Sequence, residues 1–113
     1  MPDHSRLAVM CCAPLAARKL KDSEAVATAE LFKSLSDQHR VRIVNLLANA
    51  DGPVCVCDIT DEIGLSQPTV SFHLKKLVGA GLLRAERRGT WGYYSIDRNA
   101  MERLANVMKG VRK

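Results

Sequence analysis

Four cysteines carry the most distinctive chemistry in this 113-residue chain, and they fall in two tight pairs, Cys11-Cys12 and Cys55-Val56-Cys57. A disulfide within either pair would close a very small, strained ring and fasten no loop of useful length. In a reducing compartment, clustered thiols read instead as soft-metal ligands or redox sensors, because thiolate sulfur prefers soft ions. Thiols at a helix N-terminus among many Arg and Lys would be expected to have depressed pKa values. Plainer readings stand beside these: a Cys-x-Cys can be two small core residues, and a vicinal pair can lie in an uninformative tail.

A second constellation lies just downstream. Taken at about 100° per residue, the segment from Ser66 places Val70, Leu74, Leu77 and Val78 on one side and Thr69, Phe72, Lys75 and Lys76 on the other. Gln67 and Ser71 flank its start. Gln67 could pair with adenine, Thr69 and Ser71 could bond base edges or phosphate, and a helix N-terminus capped by Ser66 favours phosphate oxygens. Lys75 and Lys76 add charge. Behind them, Arg87-Arg88-Gly89 forms a basic tip suited to a minor groove or the DNA backbone, although alone it would equally be a solvated turn. His73 sits at the flank, either a satisfied histidine at the core edge or a DNA contact. The formal charge of +5 favours a polyanionic partner without proving one.

These residues need a scaffold, and the chain supplies one of a single domain's size. Residues 1–22 read as an irregular arm carrying Cys11 and Cys12, broken by Pro2 and Pro14; residues 23–113 read as the folded domain. A first helix is expected from about Ser23, with Ala25, Ala29, Phe32 and Leu35 as its apolar face. Ser36-Asp37 ends it and caps a second helix, Gln38 to about Asn49, with Ile43, Leu46 and Leu47 inward. A short helix spans about Cys57–Ile63 and closes at Gly64; Ser66 then opens the groove-facing helix, with Pro68 tolerated in its first turn. Leu82–Glu86 and Trp91–Ile96 read as two strands around Arg87-Arg88-Gly89-Thr90. A last helix, about Arg98–Lys109, carries Met101, Leu104, Ala105 and Met108 as a stripe. The fold class is mainly α with a small β-hairpin: a helix-turn-helix followed by a wing.

The runs LSQPTVSFHLKKLVGAGLL (65–83) and ERRGTWGYY (86–94), with VCVCDIT (54–60) ahead of them, resemble the ArsR/SmtB metalloregulatory repressors. LFKSLSDQHRVRIVNLL (31–47) fits the family's first two core helices, so the likeness runs from about Ser23 to Met108. It implies a winged-helix homodimer built on the first and last helices, each protomer presenting one recognition helix to a palindromic duplex operator. Phe72 departs from the pattern, standing where relatives often carry a second His.

The resemblance also narrows the sensing site. A zinc-type site of His and carboxylates on the last helix is missing here, since that segment has no His and one acid, Glu102. No Cys lies in the recognition helix either. Cys11, Cys12, Cys55 and Cys57 remain as the expected metal ligands. Three thiolates, from Cys11, Cys12 and one of Cys55 and Cys57, would suit As(III) or Sb(III), which takes a sulfur pyramid; all four would suit Cd(II), Pb(II) or Zn(II). The vicinal pair beside the Cys-Val-Cys run resembles arsenic-responsive members, and the arm is expected to reach the other protomer's third helix.

Other classes remain as rivals. The same DNA module with oxidisable thiols would be a redox-sensing repressor. An arsenate reductase or metal-transfer enzyme would need a nucleophilic Cys with an anion loop, and no Gly-rich loop follows either pair. A winged-helix interaction module would have less use for a basic wing. Leu7–Ala17 loosely resembles a secretory core, but two cysteines interrupt it, and no stretch approaches the roughly 20 apolar residues of a membrane span. The expectation is a cytoplasmic protein, not an enzyme, with no membrane partner.

Overall fold

Side-chain caps set most of the helix boundaries in the computed structural model, which describes residues 19–109. Helix α1 (Asp22–Ser34) opens with the Lys21 N–H donating to the Glu24 carboxylate at 2.9 Å. Asp37 starts α2 (Gln38–Ala48), its carboxylate accepting from the His39 and Arg40 N–H groups at 2.8 and 3.2 Å. Helix α3 (Val56–Ile63) ends at Gly64, whose φ of +81° is the left-handed conformation that glycine adopts without steric cost. Two residues on, Ser66 caps α4 (Gln67–Gly79), with Pro68 in the first turn. Strands β2 (Leu83–Arg88) and β3 (Trp91–Ile96) form the hairpin, and Asp97 caps α5 (Arg98–Lys109) by accepting from the Ala100 N–H at 3.0 Å.

One element was not foreseen. Val54–Cys55 is a short strand, β1, paired antiparallel with β3 in the order β1-β3-β2, with Val54 opposite Tyr94 and Cys55 opposite Tyr93. Two residues are too few to show an alternating pattern. As a result α3 begins at Val56, one residue earlier than expected, with Cys55 as its N-cap. The hairpin's first strand runs 83–88 rather than 82–86, because Arg87 and Arg88 still pair with Gly92 and Trp91.

The core gathers Ile43 of α2, Ile59 of α3, Val70, Leu74 and Leu77 of α4, and Leu82 before the hairpin. Burying these aliphatic side chains stabilises the domain by about 1.5–3 kcal/mol each. The terminal helices depart from expectation. On α1 the buried residues are Thr28, Leu31 and Ser34, whereas Ala25, Ala29 and Phe32 are exposed. Ser34 tolerates burial because its hydroxyl donates to the Leu31 carbonyl at 2.7 Å. On α5, Ala100 and Leu104 are buried, Met101 is half-buried, and Ala105 and Met108 face outward. Much of both expected apolar stripes is thus open surface in the single chain. No described helix is long and apolar enough to cross a membrane.

The two carboxylate caps set an acid limit. Desolvation works against ionisation of Asp37, but the N–H groups of Arg40 and His39 outweigh it and hold that carboxyl below its ordinary value. The Ala100 N–H, against a smaller desolvation effect and aided by the Arg84 guanidinium, does the same for Asp97. A carboxyl depressed by folding contributes its full stability above its unfolded pKa of about 4, and that contribution is lost as pH falls through the folded value. Melting temperature should therefore hold steady down to about pH 5 and fall progressively below about pH 4. Asp97→Asn should flatten part of that acid limb in a pH series of thermal melts.

Candidate nucleic-acid interface and thiol pair

The turn through Gly64, Leu65 and Ser66 aims the N-terminal half of α4 outward. Ser66, Gln67 and Thr69 are exposed and Ser71 is half-buried, while Val70 and Leu74 fix the opposite side in the core. Ser66 Oγ and Thr69 Oγ1 lie 2.9 Å apart, and Ser66 Oγ also accepts from the Thr69 N–H. Both hydroxyls therefore already have one partner, and each retains capacity for another. Lys75, Lys76 and Phe72 continue the exposed side, with the Lys76 ammonium 5.4 Å from the Phe72 ring centroid. Around them Lys33 and Arg40 line the same shallow hollow.

His73 turns away from this surface. It is 7% exposed, and its Nδ1 accepts a hydrogen bond from Arg40 Nε at 3.1 Å. Of its two readings, the structure gives the core-edge one; the expected DNA contact is corrected because its ring packs inward and links α4 to α2. Nothing local in the sequence signalled this bond, whose partners are 33 residues apart.

The wing carries Arg87 and Arg88, and Arg87 stands beside the start of α4. A groove between them is lined by Gln67, Ser71, Arg87, Thr90 and Trp91. Arg87 Nη1 donates to the Thr90 carbonyl at 3.2 Å, which tightens the tip around Gly89 at φ +66°. Arg88 is held twice: its Nε meets a Glu86 carboxylate oxygen at 2.8 Å, and its guanidinium carbon lies 4.4 Å from the Tyr93 ring centroid. Glu86 and Tyr93 fall in the expected wing strands, but their hold on Arg88 was missed, although their positions in ERRGTWGYY, once paired as a hairpin, place them opposite each other.

Of the four expected ligands, Cys11 and Cys12 lie outside the described residues. Cys55 and Cys57 converge, their Sγ atoms 2.6 Å apart, where β1 turns into α3. Both are free cysteines, one buried and one half-buried. Cys55 Sγ accepts from the Cys57 N–H at 3.4 Å as the helix cap. The expected acidic thiol is corrected for Cys57. Its hydrogen bond with the Cys55 thiol, then desolvation and the neighbouring charges of Cys55 and Asp58, push it above the ordinary value, outweighing the hydrogen bond from the Asp58 N–H. Among the described residues no cluster of three or more His, Cys, Asp or Glu side chains could enclose a metal ion. The two sulfurs thus bring two soft donor atoms together, and any ion held there would need further ligands.

Residues 37–85, which run from the cap of α2 into the wing, match the family model of the bacterial regulatory proteins of the arsR family. An uncharacterised helix-turn-helix transcriptional regulator of Methanocaldococcus jannaschii is 47% identical over 80 residues, covering 71% of this chain and 89% of that protein. The arsenic resistance transcriptional regulator ArsR1 of Pseudomonas putida is 40% identical over 81 residues, covering 72% of this chain and 62% of its own length. The solution structure of the homodimeric winged helix-turn-helix DNA-binding domain of Mb0332 from Mycobacterium bovis superposes with a TM-score of 0.64 at 31% identity, over 80% of this chain and 85% of that one. The wing, the capped recognition helix and these likenesses together place the chain in the arsR family, as a winged helix-turn-helix transcriptional repressor that binds DNA and not an enzyme.

Proposed function

We propose that the protein is a cytoplasmic repressor that holds a palindromic operator as a homodimer and releases it on binding As(III) or Sb(III) through cysteine thiolates. The observation that carries this reading is the convergence of Cys55 and Cys57 Sγ, 2.6 Å apart, on the helix just ahead of the recognition helix. Cys11 and Cys12 together with one of these two sulfurs would make the three-thiolate set that trivalent arsenic takes. The arsenic regulator among its relatives supports the choice of ion, and the homodimeric neighbour supports the assembly. The exposed Ala25, Ala29 and Phe32 on α1, with Ala105 and Met108 on α5, supply apolar surface for a second copy to cover. On the DNA side, Ser66, Gln67, Thr69 and Ser71 address the groove, and Lys75, Lys76, Arg87 and Arg88 the backbone.

Arsenous acid suits these thiols chemically. Each protonated thiol exchanges with one arsenic hydroxyl, forming an As–S bond and releasing water, so three thiols release three waters and no net proton. A divalent cation must instead displace the thiol protons. Calorimetry in buffers of different ionisation enthalpy should thus show no net proton release with arsenite and about one proton per thiol with Cd(II).

Release follows from linkage. A metalloid that binds the DNA-free arrangement better than the DNA-bound one weakens operator binding by the same factor that DNA weakens metalloid binding. With a coupling of about 1–3 kcal/mol, arsenite should weaken operator binding roughly 5- to 150-fold at fixed salt. X-ray absorption should count three sulfurs around arsenic. An operator affinity indifferent to arsenite, measured by fluorescence anisotropy, overturns the reading.

A further inference from the structure

We infer that Tyr93 is a positioning residue that ties the thiol pair to the wing arginine Arg88, so that ligand capture at Cys55 is felt at the DNA-facing tip. The inference rests on Cys55 and Cys57 being the sensing pair, as proposed above. Its basis is the sheet register. Tyr93 stands in the central strand with Cys55 directly opposite on β1 and Glu86 directly opposite on β2. Residues directly opposite in antiparallel strands point to the same face, with Cβ atoms about 4.5–5.5 Å apart. Cys55, Tyr93 and Glu86 therefore form one cross-sheet row.

Arg88 completes that row from the tip. Its guanidinium lies over the Tyr93 ring at 4.4 Å and meets Glu86 at 2.8 Å. The ring is half-buried and packs on the core, so it is a firm platform for an otherwise flexible side chain. At the other end, Cys55 is both the last residue of β1 and the N-cap of α3. β1 contributes only two residue pairs to the sheet. Drawing the Cys55 sulfur into a shared ligand shell pulls on a short, weakly anchored strand whose neighbour is Tyr93. The platform under Arg88 shifts or loosens with it.

The single Trp of the chain reads this out. Trp91 pairs with Arg88 at the tip and is half-exposed, so its emission reports the wing without DNA present. Arsenite titration of the free wild-type dimer, followed by arsenic–thiolate absorption and Trp91 emission together, should give coincident curves. Tyr93→Val keeps a strand-forming residue but removes the platform. It should retain the absorption change, lose the Trp91 response, and cut the arsenite-dependent loss of operator affinity by at least about threefold. Tyr93→Phe keeps the ring and should restore both. If the valine variant does not fold, Arg88→Gln, at an exposed position, should likewise reduce the arsenite effect on operator binding. Thiolate absorption with an unaltered coupling in Tyr93→Val and Arg88→Gln overturns the inference and leaves the sensing site standing. Absence of thiolate absorption in the wild type overturns the sensing site, and the inference with it.

Discussion

Cys55→Ser combined with Cys57→Ser is expected to leave the protein on its operator at arsenite concentrations that release the wild type. The substitution removes both converging sulfurs while sparing the fold. Cys55 acts as the N-cap of α3, and serine is a preferred residue at that position. Cys57 is half-buried, so a hydroxyl in place of its thiol has room to be hydrated. The unliganded operator affinity should stay close to wild type, because neither residue belongs to the groove-facing side of α4 or to the wing tip. The release factor should fall from roughly 5- to 150-fold to no measurable change. Parallel anisotropy titrations of both proteins, with and without arsenite, make the comparison. Retained release in the double variant would remove this thiol pair from the mechanism.

The largest effect on stability is expected from Leu74→Ala. Leu74 is fully buried in α4 within the hydrophobic core, so truncation loses transfer free energy and leaves a cavity. Such changes cost about 2–5 kcal/mol, against a total stability for domains of this kind of about 5–15 kcal/mol. Phe72, two residues earlier, is 52% exposed. Phe72→Ala should shift the urea midpoint far less although it deletes a larger side chain. Denaturation curves with equal slopes but well-separated midpoints would bear this out; a Phe72 effect as large as that of Leu74 would show that the exposed ring is buried in an assembly.

The contrast between those two residues also shows what could be read from the chain. The facing of α4 was legible because Gly64, Ser66 and Pro68 mark its start unambiguously and its inward positions are aliphatic apart from His73. The α1 face was misread because two of its buried positions, Thr28 and Ser34, carry hydroxyls, of which Ser34 bonds back to its own helix, and buried polar positions defeat an apolar-periodicity argument. β1 was invisible because a two-residue strand is defined by its partner, about 40 positions away, and not by its own pattern. The thiol pair was found from spacing alone. The raised pKa of Cys57 was not, because it depends on which way the Cys55 sulfur points. His73 could not be assigned to the core edge without knowing that Arg40 reaches it.

The carboxylate in the wing makes Arg88 a charge already on loan. Any phosphate that takes this guanidinium must first displace Glu86, and an exposed pair of this kind is worth only about 0–1 kcal/mol. A stray polyanion offering one ill-placed oxygen gains almost nothing from the exchange. On the DNA contacts proposed above, a duplex seated along both the helix and the tip would gain the full contact, so an acidic residue in a basic wing would sharpen the preference for a properly seated partner.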